Sequence, residues 1–188
     1  MTVHNTKEDI RNTFIDLYKT NSVNSITVDM ICKRSFISRS TFYKFYKNVA
    51  AVNQEIEDSI IDAIKQTRTD TSYQSIFSLP KDTPSPDFVA MVRFLLDNAD
   101  YMNAVFSEHG NPAFYERYRH LNFEFMREFA ESNNVPEDKL DIAADVITDA
   151  LMTMQKKVLL YHDQFDPYYF SLSLKNMVVN LTSEIRDS

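Results

Sequence analysis

Glycine is almost missing from this chain of 188 residues: Gly110 is the only one. Sheets and barrels draw on glycine at hairpin turns and bulges, so its scarcity argues against β architectures and for helices joined by short polar links. Cysteine is equally rare. Cys32 has no second cysteine to pair with, which fits a reducing cytosol. No run approaches the roughly 20 apolar residues of a membrane-spanning helix. The residues from Met1 to Asp9 hold no apolar stretch of the kind a secretion signal needs. The expectation is a soluble cytoplasmic protein with no membrane partner. Motifs of chemistry are lacking as well: there is no phosphate-binding glycine loop, no paired-cysteine motif and no serine elbow.

What the chain does carry is an uneven charge. The net value is −7, yet residues 1–50 hold eight Lys/Arg against four Asp/Glu, a balance of +4. The remainder holds 12 basic against 23 acidic residues, a balance of −11. A basic head on an acidic body points to a polyanion that only the head approaches.

Hydrophobic spacing is helical throughout and predicts an all-α protein of about nine helices. Thr6 followed by Asp9 reads as the start of a first helix, whose stripe is Ile10, Phe14, Leu17 and Tyr18. Thr27 is placed to cap a short second helix and Ser38 a short third one, Arg39 to about Lys44. A long fourth helix, about 48–68, carries Val52, Ile56, Ile60 and Ile64 at intervals of four. Residues 69–87, rich in Thr, Ser, Asp and Pro, read as a loop. Helical spacing resumes at Phe88, Val92 and Leu95, and again after the Gly110-Asn111-Pro112 turn, with Phe114, Tyr118, Leu121, Phe125 and Phe129. Leu140, Ala144, Ile147, Leu151, Met154 and Val158 form the most regular seam in the chain. Asp166 and Pro167 open a last helix bearing Phe170, Leu174, Met177, Leu181 and Ile185. Two domains are expected, 1–50 as the head and 51–188 as the body, connected by the fourth helix.

The second and third helices, joined by a tight link, read as a helix-turn-helix, a unit that lays its last helix in the major groove of double-stranded DNA. Arg39 suits either the edge of a guanine or a phosphate, while Ser40 and Thr41 are short enough for close approach to the groove, next to the capping Ser38. Tyr43, Lys44 and Lys47 suit phosphate oxygens, as does Thr27 at a helix start. Phe42 and Tyr46 are expected to face the small core beneath.

The stretch from Thr6 to about Ile64, centred on ITVDMICKRSFISRSTFYKFYKN, resembles the DNA-binding domain of the TetR family of transcriptional regulators. The match rests on Ile26-Thr27-Val28, Ile31-Cys32, Ile37-Ser38 and Thr41-Phe42-Tyr43 with Tyr46. SEHGNPAFYERY, residues 107–118, resembles a segment of Gram-positive members. Two positions depart from the family: Phe36 stands where a glycine or another turn-tolerant residue is usual, and Val49 where a lysine usually opens the fourth helix. A side chain at Phe36 disfavours positive φ, so a different turn type is expected there.

The resemblance implies a homodimer that reads a palindromic operator, held by a four-helix interface over residues 137–160 and 167–186. Its candidate residues are Leu140, Ala144, Ile147, Leu151, Met154, Phe170, Leu174, Met177 and Leu181. The same seams would also serve a single chain's core. It further implies a cavity for a small hydrophobic or aromatic ligand, with Met91, Phe94, Tyr101, Phe106, Tyr118, Phe125 and Met152 as candidate lining. No cofactor is implied. A repressor released by such a ligand is the reading that follows, and a protein-interaction adaptor that no longer reads DNA is its rival. No catalytic constellation is present, so an enzyme is not expected. Glu116, His120 and Glu124 lie four apart, but pairing on the helix surface explains that spacing better than a metal site.

Overall fold

The computed structural model describes residues 5–67, 74–161, 163–164 and 166–188. The expected loop residues 69–73, and residue 68 at the expected end of the fourth helix, lie outside the described residues. Among the described residues the chain is all-helical: α1 (Thr6–Tyr18), α2 (Val28–Arg34), α3 (Arg39–Tyr43), α4 (Val49–Thr67), α5 (Gln74–Ser78), α6 (Pro86–Asp97), α7 (Ala99–Val105), α8 (Pro112–Ser132), α9 (Leu140–Tyr161) and α10 (Pro167–Asp187). Single 3₁₀ turns cover Val23–Ser25 and Glu137–Lys139. No described helix is long and apolar enough to cross a membrane.

The helix starts follow local chemistry. Thr27 and Ser38 cap α2 and α3 by accepting from the backbone N–H of Met30 and Thr41. Asn48 does the same for α4 through Ala51, and Asp166 caps α10 with Pro167 behind it. The α1 cap is Asn5 rather than Thr6: its side chain accepts from the Glu8 N–H, which places Thr6 inside the helix. One helix falls where a loop is expected. α5 is short, and two apolar residues hold it: Ile76 is buried and the Phe77 ring stacks on Phe129 at 5.6 Å. Burial here overrides weak local propensity.

The chain divides into two compact units. The first runs to Ala63 and also takes Asp100–Tyr115; the second takes Ile64–Ala99 and Glu116–Ser188. The head is therefore larger than residues 1–50. Its core is Ile10, Phe14 and Tyr18 of α1 with Ile31, Phe42, Val52 and Ile56. Tyr101 packs on Tyr18 and Phe114 with ring centroids 5.6 and 5.9 Å apart. A buried polar chain adds to this: Tyr101 donates to Asn53 (3.0 Å), while Asn53 and Asn111 both donate to the Glu57 carboxylate (2.6 and 2.8 Å). The Tyr18 hydroxyl accepts from the Asn111 N–H at 2.7 Å. These long-range partners are what assign residues 100–115 to the head.

In the second unit α10 packs against α6 and α9, and α6 against α9. The α9 seam is interior as its spacing implies, with Leu140, Ala144, Ile147 and Leu151 essentially inaccessible. α10 differs from expectation. Its inward face is Ser171, Leu174, Lys175, Val178 and Thr182, about one position away from the apolar stripe, while Phe170, Met177, Leu181 and Ile185 are only half-buried. The cause is Lys175, which is buried and donates to the carbonyls of Pro80 (2.5 Å) and Thr83 (2.6 Å). Beside it Asn176 donates to the Lys81 carbonyl and Tyr168 to that of Asp82. Four successive carbonyls of the 80–83 loop are thus tied to one helix, and the two that meet Lys175 satisfy a buried ammonium that would otherwise cost free energy. Burial lowers the Lys175 pKa from its ordinary value, against an opposing pull from Asp82.

Candidate nucleic-acid interface

α2 ends at Arg34 with Ser35 as its C-terminal cap, and Phe36 then adopts φ 55°. The Ile37 N–H reaches back to the Cys32 carbonyl at 3.1 Å, the six-to-one bond of a Schellman turn. The turn is therefore of the positive-φ kind, contrary to the expectation from Phe36: the returning hydrogen bond and the start of α3 over-determine the backbone there. The ring lies out in solvent, 95% exposed. Cys32 is buried, and burial first and Asp29 second raise its thiol pKa, which suits a packing role.

Phe42 and Tyr46 point inward, 0% and 4% exposed. They fix which side of α3 faces out. That outer side carries Arg39, Ser40, Tyr43 and Lys44, with Thr41 half-buried and Thr27, Ser38 and Lys47 exposed around it. Tyr43 stands edge-on to Phe42 at 5.6 Å, so its ring is braced on one side while the residue stays exposed. The Ser38 hydroxyl shares hydrogen bonds of 2.8 Å with both Ser40 and Thr41, a small hydroxyl cluster at the start of α3. The Arg39 guanidinium is ion-paired with Asp29 of α2. Val49, at the first turn of α4, is half-buried and contributes no donor.

Beneath this surface the Tyr46 hydroxyl donates to Glu55 at 3.0 Å. Lys7 meets the same carboxylate at 2.8 Å and Arg11 at 3.4 Å. Burial raises the Tyr46 phenol well above its ordinary pKa, and the Glu55 hydrogen bond adds to it. Burial alone would raise the Glu55 carboxyl too; hydrogen bonds from Lys7 and Tyr46, with the charges of Lys7 and Arg11, bring it below its ordinary value instead. The spacing Lys7, Arg11 is one helical turn and marks their shared face, but Glu55 is too distant in sequence for the pairing to be foreseen.

The candidate ligand residues are not all brought together. Met91, Tyr118 and Met152 gather around Gln155 in the second unit. Tyr118 donates to the Gln155 carbonyl at 2.8 Å, and the Gln155 amide donates to the Met91 sulfur at 3.2 Å and to Asn122 at 3.4 Å. Asn122 donates in turn to the Met152 sulfur at 3.8 Å. All five are buried. Phe94 and Phe125 are half-buried in the same unit, whereas Tyr101 and Phe106 belong to the first one. Sequence reasoning missed Gln155 and Asn122, since a polar residue on a helix gives no sign of facing inward.

Of the candidate dimer residues, Leu140, Ala144, Ile147, Leu151 and Leu174 are buried within their own chain. Met154, Phe170, Met177 and Leu181 are half-buried. Among the described residues the exposed large apolar side chains of these two helices are Ile142, Val146, Leu160, Tyr168 and Tyr169. On α8, His120 Nε2 lies 3.7 Å from Glu124, the surface pairing expected of that spacing. No group of three metal-ligating side chains suited to an ion occurs among the described residues.

A family model described as the C-terminal region of transcriptional regulators, of the TetR type, matches residues 82–180. Among curated proteins none is similar enough in sequence to count as a relative. Among solved structures the fold resembles a TetR transcriptional regulator from Streptococcus agalactiae, at 19% identity and a TM-score of 0.63, covering 92% of this chain and 93% of that one. It also resembles the fatty acid degradation regulator FadR from Bacillus halodurans (14%, TM-score 0.60, 95% and 97% covered). A third is a TetR-family transcriptional regulator from Streptomyces coelicolor (14%, 0.56, 96% and 90%). A helix-turn-helix head followed by this C-terminal region defines a class, the all-helical transcriptional regulators. Within it, the chain belongs to the TetR family.

Proposed function

We propose that this protein binds double-stranded DNA through the outer face of α3 and acts in the cytoplasm as a homodimeric repressor, released by a small hydrophobic or aromatic ligand. The observation that carries the reading is the outer face itself. Arg39, Ser40, Tyr43 and Lys44 project from a short helix whose other side is anchored by Phe42 and Tyr46. Ser40 and Thr41 approach base edges, Arg39 meets a guanine edge or a phosphate, and Tyr43, Lys44, Lys47 and Thr27 contact phosphate. Domain roles follow: the head reads, and the second unit pairs and responds. A ligand acts by favouring a dimer whose two heads no longer match the operator. The exposed face of α9 and α10 supplies the pairing surface in place of the buried seam.

The test is selection from a randomised duplex library at two salt concentrations. The expected result is a palindrome with half-sites about one turn, 34–36 Å, apart. Binding should weaken with added salt, because the release of condensed counterions that drives it becomes less favourable. Lys47→Ala should weaken binding equally across sequences and reduce the salt slope by about one. No enrichment at low salt would sink DNA reading and leave the adaptor reading in its place, with Phe36 and Val49 as the marks of an altered head.

A further inference from the structure

Between Asp16 and Glu55 the chain has one acidic residue, Asp29, among six basic ones: Lys19, Lys33, Arg34, Arg39, Lys44 and Lys47. It lies in the first turn of α2, beside the surface assigned to phosphate. A carboxylate there repels the duplex backbone, so its presence calls for a compensating role. Lys33, four residues on along the same helix, is its ordinary surface partner. The carboxylate instead crosses to α3 and pairs with Arg39. Both side chains remain well exposed, 68% for Arg39 and 59% for Asp29. An ion pair this wet adds little to folding.

We infer that Asp29 is a positioning residue for base reading, its carboxylate holding the Arg39 guanidinium so that the remaining N–H donors face a guanine. The inference rests on the DNA-reading function proposed above and names how its selectivity is set. A guanidinium has five N–H donors in a rigid fork, so one edge can rest on a carboxylate while others stay available. An unrestrained arginine would have to give up most of its rotamer freedom on meeting a base. One already held gives up less, and can swing less readily to a nearby phosphate. The start of α3 is fixed by the Ser38 cap on the Thr41 N–H (3.0 Å), so the pair spans two anchored helices rather than a loose end. Between the two partners Arg39 is left open, since it suits base or phosphate; Asp29 decides it for the base.

The experiment uses the full chain and the operator recovered by selection, with every single base-pair variant of that operator, at two salt concentrations. The proteins are the unaltered chain, Asp29→Ala, Asp29→Asn, Arg39→Ala and the double Ala variant. With Asp29→Ala, helix content should stay unchanged and non-specific duplex should bind at least as tightly, because a negative charge is gone. Discrimination at one base pair of each half-site should fall about tenfold, the scale of one well-formed arginine–guanine contact. Arg39→Ala should lose the same discrimination at the same base pair, and the double variant should lose no more. Asp29→Asn, which keeps an acceptor, should retain part of it. Unchanged discrimination with Asp29→Ala, while Arg39→Ala relaxes it, overturns the positioning role alone. Equal tightening at every sequence overturns it too, leaving Asp29 as a repulsive charge. Unchanged discrimination with Arg39→Ala overturns direct readout by Arg39 and the positioning role with it; no operator at all overturns the reading function beneath it.

Discussion

Phe36 and Asn134 sit at matching places, each two residues past the last residue of a helix with positive φ, 55° and 62°. At the end of α8 the turn is closed by two backbone bonds, Asn134 to Glu131 (3.0 Å) and Val135 to Ala130 (3.1 Å). Asparagine tolerates that conformation well. Phenylalanine does not, because its Cβ crowds the backbone. With its ring almost wholly in water, Phe36 recovers nothing by burial. Phe36→Gly should therefore raise the stability of the chain by about 1 kcal/mol, the order of the left-handed cost, less the extra freedom glycine gains when unfolded. Urea unfolding followed by circular dichroism measures it; a loss of stability would mean the ring makes a stabilising contact. The sequence alone marks the departure at Phe36 but points to a different turn, since a local steric preference says nothing about the hydrogen bond that holds the backbone against it.

At the level of elements, short-range chemistry was legible and long-range pairing was not. Thr27, Ser38 and Asp166 could be read as caps because a capping side chain bonds only two or three residues away. The face of α10 is not legible for the opposite reason: Lys175 looks like a solvent-facing lysine until the carbonyls of Pro80 and Thr83, some 90 residues earlier, are brought beneath it. The same holds for Glu55, whose partners Lys7 and Arg11 lie on α1. That ion-pair cluster gives the head a pH dependence with a definite sign. The folded state holds the Glu55 carboxyl below its ordinary value of 4.5. Its stabilising contribution is therefore complete above the unfolded value and disappears as the pH falls through the lowered one. Glu55 is about one-third exposed, so the effect is modest. Replacing it as Glu55→Gln should lower the thermal midpoint at pH 7 slightly and leave the loss of stability on acidification below the ordinary carboxyl value shallower than in the unaltered chain. Parallel acid titrations of the two proteins would refute the role if their slopes coincide.

For the whole molecule, the question is how a chain whose most regular apolar seam is spent on its own core could still pair. Leu151 lies at 0% exposure on that seam, while Ile142 and Leu160 lie 63% and 60% exposed on the same helix. Eighteen residues separate those two, five whole turns of α-helix, so they share one line along α9, and Val146 lies close to it. Five of the eight large apolar side chains exposed among the described residues are on α9 and α10, which is where an unpaired chain would be least comfortable in water. The two faces of α9 thus make opposite predictions. Leu151→Ala removes atoms from a packed interior and should cost about 2–5 kcal/mol of unfolding free energy. Val146→Glu leaves that interior alone. It should convert a dimer to a monomer in sedimentation velocity at micromolar concentration, with helix content unchanged, by placing a carboxylate where two copies meet. A Val146→Glu protein that still sediments as a dimer would move the pairing surface off this face. A monomeric unaltered chain would remove the dimer altogether, and with it the expectation of a two-half-site operator.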